Sequence, residues 1–347
     1  MKSWWKQLGA CVFGFLMACQ ALAATESGRM SRKDAWELAT QVVWYADNLA
    51  LPPRDATDYA SAKDELLLAV APGEGDDLDR ATVYTAARRL LATIDSDGHT
   101  QLWPRWYAQS SAQETHAADA ARADVARVVR VDNDDVLVLR PPQATFMDVP
   151  TMRDYALHLN ASVVGAMRGS RACALVVDLS DQKGGNAWPP LALLGVLVTP
   201  ANRARYEDRA GRRTVVVPAI EYASYLGQVG PLPSNPLTIF AGTPPAVVMA
   251  PMTASSGEML AIVLAGEPGA RTFGQASHGE TTANNVLSLA DGATMLLTVS
   301  RYAMEGGPVI RGRLQPDFPA ASAETPEQSI RRAATWAAAN SALCRAP

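Results

Sequence analysis

The sequence contains few of the residues that build metal centres. Its 347 residues include four cysteines and four histidines, and Cys11 and Cys19 fall in an N-terminal segment that we expect to be removed. The remaining two, Cys173 and Cys344, are too few for a zinc site. They could pair in an oxidising compartment, but Cys173 lies in an apolar, strand-like run where a buried thiol is at least as good an expectation. The sequence gives no sign of a metal or an organic cofactor.

The chain also lacks a strong excess of charge and any long apolar run. Charged residues make up 19% of it, and the formal net charge is −4 with a pI near 5.6. Without a dense run of lysine or arginine there is no electrostatic footprint for nucleic acid or for an anionic membrane surface. No apolar run approaches the ~20 residues of a membrane-spanning helix. We therefore predict neither a nucleic-acid partner nor a transmembrane span in the mature chain.

The N-terminus has the pattern of an export signal. Lys2 and Lys6 precede an apolar segment from Leu8 to Ala18, and Ala21-Leu22-Ala23 has the small-x-small pattern of a cleavage site. Residues 1–23 are expected to be removed, so that the mature protein begins at Ala24. This predicts a periplasmic or secreted protein.

A lipid anchor is the second interpretation of the same segment. Leu16-Met17-Ala18-Cys19 is similar to a lipoprotein-type sequence, which would attach the protein through Cys19. Met17 is bulky for its position and the later Ala-x-Ala site is good, so the cleaved form is favoured.

The mature sequence divides into a helical segment and a longer α/β segment. From 24 to 100 apolar residues recur at helical spacing, and helices are predicted to start at Ser31 and after Asp79. Residues 101–320 alternate strand-like runs with helices, which predicts an α/β domain, and residues 321–347 predict a closing helix. The strands expected include a hairpin of Val125–Val131 with Val136–Leu139, the buried run Ala172–Leu179, and a hairpin around Asp291-Gly292. Arg203 to Pro245 carries no clear pattern.

The segment around Ser255 predicts a strand-to-helix turn. Ala246 to Ala250 indicates a buried strand, and Met259 to Ala265 has helix-forming composition. At such a turn the free N–H groups and the dipole of the helix can stabilise an oxyanion, which makes Ser255 a candidate nucleophile. The alternative is that Ser255 only caps the helix and that Glu258 completes a capping box.

A glycine pair follows the buried strand that ends near Leu179. Gly184 and Gly185 have no side chain, so the backbone there could approach a ligand closely. A plain tight turn is the alternative. The Gly-Lys-Ser/Thr ending of a phosphate-binding loop is missing.

Two further loops carry groups that could activate a serine. A serine hydroxyl needs a base to take its proton, and a carboxylate improves that base by fixing its tautomer. His99 lies in a polar turn after the helical segment, and Glu305 lies in the loop after the last long strand. Among competing bases, His278 in a loop after a strand is the serious rival, whereas His116 lies in an Ala-rich tract and His158 on a predicted helix.

Four short motifs occur in an order that resembles the S41 serine peptidases, the family of the C-terminal processing (tail-specific) proteases and the tricorn core peptidase. They are Gly98-His99-Thr100, Asp178-Leu179 leading into Gly184-Gly185-Asn186, Thr253-Ala254-Ser255-Ser256-Gly257-Glu258, and Gln315-Pro316-Asp317. The resemblance covers about Ile94 to Pro319. It implies a ClpP/crotonase-like α/β core behind a small helical N-terminal domain.

The resemblance implies a nucleophile but not the lysine base of the processing proteases. Ser255 matches the nucleophile of the family's Thr-Ala-Ser-x-Gly/Ser-Glu motif. The processing proteases activate this serine with a lysine after a glycine in a downstream loop, but here Glu280 follows Gly279 and no lysine occurs after Lys183.

The histidine-dependent branch of the family implies a different set of groups. It implies His99 as the base and Glu305 as the carboxylate that orients it. The N–H groups of Ser256 and of Gly185, or of Gly184, would form the oxyanion hole.

Two departures from the family pattern bear on function. Ser180 and Gln182 stand where the Asp-Leu-Arg-x-Asn-x-Gly-Gly pattern has arginine and asparagine, which alters the turn expected to form the oxyanion hole. The stretch from His99 to Asp135 is too short for the PDZ domain that processing proteases often insert, so recognition of a substrate C-terminus by such a domain is not implied.

These expectations favour an exported serine peptidase that acts on a peptide or protein substrate through an acyl-enzyme. Two alternatives stay open. The altered turn suggests a catalytically lapsed peptide- or ligand-binding protein on the same scaffold, and a small-substrate esterase or amidase would use the same groups for acyl transfer. The sequence indicates neither the substrate nor the oligomeric state.

Overall fold

The computed structural model describes residues 28–73, 75, 77–94, 99–105, 125–145, 148–217 and 219–345. The expected export segment and His116 lie outside these residues. The chain forms two compact units, one of Met1–Ser111 with Asn284–Val299 and one of Ala112–Ala283 with Ser300–Pro347. Residues 284–299 therefore belong to the first unit, whereas the sequence predicts an α/β domain that runs through them, from 101 to 320.

The described residues alternate helices and strands. The helices are α1 (Arg32–Asn48), α2 (Ala56–Ala69), α3 (Arg80–Ala92), α4 (Val149–Ala166), α5 (Trp188–Leu194), α6 (Ala219–Val229), α7 (Ser256–Ala265) and α8 (Pro326–Asn340). The strands are β1 (Arg29–Met30), β2 (Leu78–Asp79), β3 (Gln101–Trp103), β4 (Ala126–Val131), β5 (Asp134–Leu139), β6 (Ala174–Asp178), β7 (Ala204–Asp208), β8 (Arg213–Val215), β9 (Ala246–Met249), β10 (Arg271–Gly274), β11 (Thr282–Ser288), β12 (Thr294–Met304) and β13 (Phe318–Pro319). The predicted α/β class with a helical N-terminal region is confirmed.

The first unit packs α1, α2 and α3 together. Ser31 caps α1 by accepting the N–H of Asp34 at 3.1 Å, and Asp79 caps α3 by accepting the N–H of Thr82 at 3.2 Å. Both helix starts were predicted, and both are confirmed. The core of the unit joins side chains of the three helices to residues around β12: Leu38, Val42, Leu66, Leu90, Leu91, Leu289, Met295 and Leu297. Within this unit β3 pairs antiparallel with the first residues of β12.

The second unit is built on a six-stranded sheet. Its strand order is β13-β10-β9-β6-β5-β4, and all neighbours run parallel except β4, which pairs antiparallel with β5. The predicted hairpin of β4 and β5 and the predicted buried strand β6 are confirmed. Because β6 and β9 are parallel neighbours, the turns that follow them leave the same edge of the sheet. The glycine turn and the Ser255 turn are those two turns.

Alternate residues of these strands face opposite layers, as the strand period requires. One face packs against α8 through Val136, Val138, Ala174, Val176, Ala246, Val248, Ile330, Ala334 and Ala337. The other face packs against α4, α5 and α7 through Leu137, Leu139, Leu175, Val177, Val247, Leu159, Leu191 and Leu260. The central strands are therefore buried on both faces, which explains their continuous apolar sequence.

The region from 203 to 245, which showed no clear pattern, forms β7, β8, α6 and a short 3₁₀ helix at Pro236–Phe240. β7 pairs antiparallel with β8 and with the last residues of β12. β8 is exposed at all three residues, so its sequence lacks the alternation that marks a half-buried strand.

Cys173 and Cys344 form a disulfide. It joins the residue before β6 to the segment that follows α8. Of the two expectations for these cysteines, the structure therefore shows the pair. Across the described residues, no helix has both the length and the apolar character needed to cross a membrane.

Candidate functional site

Ser255 occupies a strained position between β9 and α7. Its φ and ψ are 50° and −113°, and among the described residues other than glycine only Asp132 shares a positive φ. Side chains with a Cβ rarely adopt such a backbone, which costs of order 1–3 kcal/mol and persists only where the surroundings enforce it. Strain of this kind concentrates at functional sites, and a strand–turn–helix with a strained serine is the geometry of a nucleophile elbow.

Glu258 supplies one of the restraints on this turn. Its carboxylate is fully buried and accepts the backbone N–H of Ser255 at 3.0 Å. The same carboxylate accepts the N–H of Gly279 at 2.8 Å and the hydroxyl of Ser277. The predicted capping relationship of Ser255 and Glu258 is thus present, and it also ties the start of α7 to the loop after β10.

Burial raises the pKa of the Glu258 carboxyl above its ordinary value. The three hydrogen bonds from Ser277, Gly279 and Ser255 oppose this rise because they stabilise the charged form, and the nearby Glu280 adds to it. Tyr302 is also buried, and desolvation raises the pKa of its phenol, to which the charge of Glu258 adds. The Glu258 carboxyl group therefore lies in a buried environment, whereas Ser255 is half-buried.

The glycine turn lies directly against Ser255. Gly184 has a φ of 115°, and a Cβ placed on it would lie 3.0 Å from the Ser255 Cβ and 3.5 Å from its Oγ. Gly185 has a φ of 106°, forms a parallel bridge with Ala144, and leaves no room for a Cβ next to the Ala144 carbonyl. Glycine is therefore required at both positions for backbone conformation and for close approach. The turn brings backbone close to the Ser255 side chain, as an oxyanion hole for a candidate nucleophile would require.

The altered residues of this turn are both buried. The Ser180 N–H donates to Asp178 Oδ1 at 3.0 Å, and the other oxygen of Asp178 pairs with Arg140 at 2.6 Å. Gln182 donates its side-chain amide to the carbonyl oxygens of Pro141 and Pro142 at 3.2 and 3.1 Å. The turn is thus held by a different set of side chains from the one that the family pattern predicts.

His99 belongs to the first unit. It is 8% exposed, and its carbonyl oxygen accepts from the Asn284 side chain at 2.9 Å. The neighbouring Thr100 hydroxyl donates to the Thr298 hydroxyl at 2.8 Å and accepts the Thr298 N–H at 3.1 Å. These bonds fix the backbone around His99 to β11 and β12, and they give Thr100 an anchoring role.

Glu305 and His278 both belong to the second unit. The Glu305 carboxylate pairs with Arg205 at 3.0 Å, and its side chain is 63% exposed. The backbone N–H of His278 donates to the Thr253 carbonyl at 2.8 Å, two residues before Ser255. The His278 side chain is 56% exposed, with Nδ1 3.8 Å from Glu280 Oε1. His278, the alternative base, is thus hydrogen-bonded through its backbone to the turn that carries Ser255, whereas Glu305 is paired with Arg205 of β7.

The second unit therefore brings together Ser255, Ser256, Gly184 and Gly185 but does not show Glu305 among their described partners. The sequence predicts Glu258 only as a helix cap, and it distinguishes Gln182 only as a departure from the family pattern. For Glu258, the spacing of three residues from Ser255 is the sequence feature that indicates a contact between the two. No signal in the sequence pointed to the contacts of Gln182.

Comparison with known proteins shows the family to which the chain belongs. The model of the family described as Peptidase family S41 matches residues 146–320, half of the chain. The nisin-resistance protein of Lactococcus lactis subsp. lactis is 26% identical over 186 residues, which are 53% of this chain and 56% of that protein. The chain thus matches little more than half the length of this relative.

Solved structures show the same fold. A lipoprotein from Streptococcus agalactiae superposes with a TM-score of 0.69 at 17% identity, covering 88% of this chain and 96% of its own. A photosystem II D1 C-terminal processing protease superposes with a TM-score of 0.51 at 16% identity, covering 86% and 96%. At these identities the likeness is one of fold.

Proposed function

Because the chain belongs to peptidase family S41, we propose that it is an exported serine peptidase that cleaves peptide bonds through an acyl-enzyme. The observation that carries the proposal is the strained Ser255 with the Gly184 backbone against its side chain. A serine that only capped a helix would not need a positive φ, since N-cap residues ordinarily have extended backbone. The strained backbone therefore supports a catalytic role for Ser255 in addition to helix capping.

The proposed chemistry is acyl transfer in two steps. Ser255 Oγ attacks the carbonyl carbon of a peptide bond while His99 takes its proton, and His99 then protonates the departing amine. Water then attacks the acyl carbon while His99 takes its proton, and His99 returns that proton to Ser255 Oγ as the carboxylic acid product leaves. The N–H groups of Ser256 and of Gly185 or Gly184 receive the oxyanion in both steps, at the start of α7 where the helix dipole favours negative charge.

The roles of His99 and Glu305 rest on different support. His99 is supported by its place in the family motif and by the bonds that fix its backbone in the first unit. Glu305 as the orienting carboxylate is supported by the motif. Its Oε2 pairs with Arg205, so the carboxylate would serve this arginine and a histidine together or exchange one for the other. His278 stays the alternative base.

Labelling with a fluorophosphonate tests the proposal. The reagent reacts only with an activated serine, so we expect stoichiometric label on Ser255, located by peptide mapping. Label should be lost in Ser255→Ala and His99→Ala and kept in His278→Ala. Loss in His278→Ala with retention in His99→Ala would transfer the base role to His278.

Substrate panels separate the remaining readings. Ester, amide and peptide substrates should be compared side by side, and nisin belongs in the panel because of the relative named above. Exclusive ester cleavage would favour the esterase alternative. The departure of Ser180 and Gln182 from the family pattern favours the binding-protein alternative. An unlabelled, folded protein that binds peptide and retains binding after Ser255→Ala would establish it.

The proposed location is outside the cytoplasm. The N-terminal pattern of Lys2, Lys6 and Ala21-Leu22-Ala23 supports export, and one structural neighbour is described as a lipoprotein. The disulfide agrees with an oxidising compartment. Mass spectrometry of the mature N-terminus would distinguish cleavage before Ala24 from lipid attachment at Cys19.

A further inference from the structure

Gln182 contacts the nucleophile turn through its backbone. Its carbonyl oxygen accepts the N–H of Ala254, the residue before Ser255, at 2.9 Å. The same carbonyl and the side-chain Cβ and Cγ fill the space beside Gly257, where an added Cβ would lie 2.9 Å from Cγ and 3.1 Å from Cβ. Gln182 therefore fits against both ends of the turn that carries Ser255.

The side chain of Gln182 holds a second segment. Its Nε2 donates to the carbonyl oxygens of Pro141 and Pro142, which follow β5. Two residues further along, Ala144 bridges to Gly185 and accepts the N–H of Asn186. The Gln182 amide thus anchors the segment from Pro141 to Ala144, which is hydrogen-bonded to the glycine turn.

The orientation of this amide is set by its two acceptors. With Nε2 on the two proline carbonyls, Oε1 is buried and has no hydrogen-bond partner among the described residues, and the side chain is 3% exposed. A reversed amide would set Oε1 against both carbonyl oxygens. A buried carbonyl oxygen facing two others is unfavourable, so the two proline carbonyls decide which way the amide points.

We infer that Gln182 is a positioning residue that sets Ser255 and the Gly184–Gly185 turn relative to each other. It is bonded to the residue before Ser255, packed on Gly257, and linked through Pro141 and Pro142 to the segment that pairs with Gly185. Its role in catalysis rests on the proposed serine peptidase function. Its role in aligning the two turns does not.

The test uses near-isosteric variants. Gln182→Met keeps the length and volume of the side chain but removes the amide, and Gln182→Asn keeps the amide on a shorter stem. Asn160→Leu is the control, because Asn160 is 8% exposed and donates its amide to the Ser234 carbonyl at 3.2 Å, outside the two turns. All variants should be compared in the full mature chain for unfolding in urea.

Two readouts separate positioning from stability. In fluorophosphonate labelling, Gln182→Met should lower the limiting rate of Ser255 modification about tenfold or more, with the half-saturating reagent concentration unchanged. In hydrogen exchange, its peptides covering 183–187 and 254–258 should both exchange faster than in the wild type. Asn160→Leu should change neither, although it loses stability, and Gln182→Asn should fall between the wild type and Gln182→Met.

The outcomes distinguish the two proposals. Wild-type exchange at both turns in Gln182→Met would overturn the inference, whether or not the protein is labelled. Faster exchange at both turns in a protein whose wild type is never labelled would support the positioning role and refute the serine peptidase function. Faster exchange with an unchanged labelling rate would show that the alignment does not serve catalysis, and so would overturn the catalytic part.

Discussion

The backbone N–H of Ser255 donates to the buried carboxylate of Glu258 at 3.0 Å. The carboxylate also accepts the Ser277 hydroxyl and the Gly279 N–H, so one side chain joins the candidate nucleophile to the loop after β10. His278 lies in that loop, and its backbone N–H donates to the Thr253 carbonyl. Mutation or protonation of Glu258 is therefore expected to alter the backbone of the turn around Ser255.

Removing the Glu258 carboxylate should impair both stability and Ser255 reactivity. Glu258→Ala leaves the buried Ser277 hydroxyl and the half-buried N–H groups of Ser255 and Gly279 without this acceptor, so we expect a loss of about 3 kcal/mol in the free energy of unfolding. The labelling rate of Ser255 should fall as well, because the restraint on its backbone is gone. Urea unfolding and labelling kinetics measure the two effects.

Glu267 provides a matched control at the other end of α7. It is 6% exposed, and its carboxylate accepts the Thr199 N–H, the Thr199 hydroxyl and the Asn202 amide. Glu267→Ala should cost similar stability and leave labelling unchanged in the folded protein. Equal slowing in both variants would mean that reactivity follows global stability rather than the contact with Ser255.

Stability should depend on pH through Glu258 in a defined direction. Its pKa is raised in the folded protein, so the folded state retains the proton longer than the unfolded state. The free energy of unfolding of the wild type, measured relative to Glu258→Gln, should be highest below the ordinary glutamate pKa of 4.5. It should fall as pH rises through the raised pKa and then level off.

The comparison with Glu258→Gln cancels other titrations. Asp55, Asp135, Asp208 and Glu324 have lowered pKa values, which shift stability in the opposite direction with pH, but they are common to both proteins. Urea unfolding at intervals from pH 4 to 8 gives the difference. A relative stability that rose with pH would show that the hydrogen bonds to the carboxylate outweigh its burial.

A methyl group at Gly184 should disturb Ser255 directly. Gly184→Ala places a Cβ 3.0 Å from the Ser255 Cβ and forces alanine into a φ of 115°. We expect a loss of about 1–3 kcal/mol and a labelling rate reduced about tenfold or more. Gly242→Ala is the control, because Gly242 has a φ of 77° and open space around it. If both variants label at the wild-type rate, the glycine turn does not constrain the serine.

The disulfide should contribute measurably to stability. A bridge across a sequence separation of 171 residues restricts the unfolded chain, and its loss should cost about 2–4 kcal/mol. Reductant should lower the Tm of the wild type to that of Cys344→Ser and should leave the Tm of Cys344→Ser unchanged. Two free thiols in the non-reduced native protein would contradict the pairing.

The sequence predicted those elements whose signals are local. The caps at Ser31 and Asp79, the hairpin around Asp291-Gly292 and the strand-to-helix turn at Ser255 follow from side-chain bonds and periodicity within a few residues. β7 was missed because its partner, the end of β12, lies about a hundred residues later and because neither β7 nor β8 has a fully buried face.

Family motifs suggest residues for the candidate site but not their geometry. Family motifs identify Ser255, Gly184 and Gly185, yet the positive φ of Ser255 is imposed by contacts from Glu258 and neighbouring turns that no local pattern encodes. The pairing of Glu305 with Arg205 depends on the long-range register of β7 and β12. The contacts of Gln182 likewise arise only when β5, β6 and β9 lie side by side.

The bond between Cys173 and Cys344 makes a covalent ring of the polypeptide from the start of β6 almost to the C-terminus. Ser255, the glycine turn, Glu305 and the alternative base His278 are all contained in that ring, whereas His99 lies outside it. A single peptide-bond break anywhere within it would open the ring without releasing a fragment. The two pieces of such a nicked molecule would stay joined until the disulfide is reduced, so backbone damage around Ser255 would be invisible on a non-reducing gel.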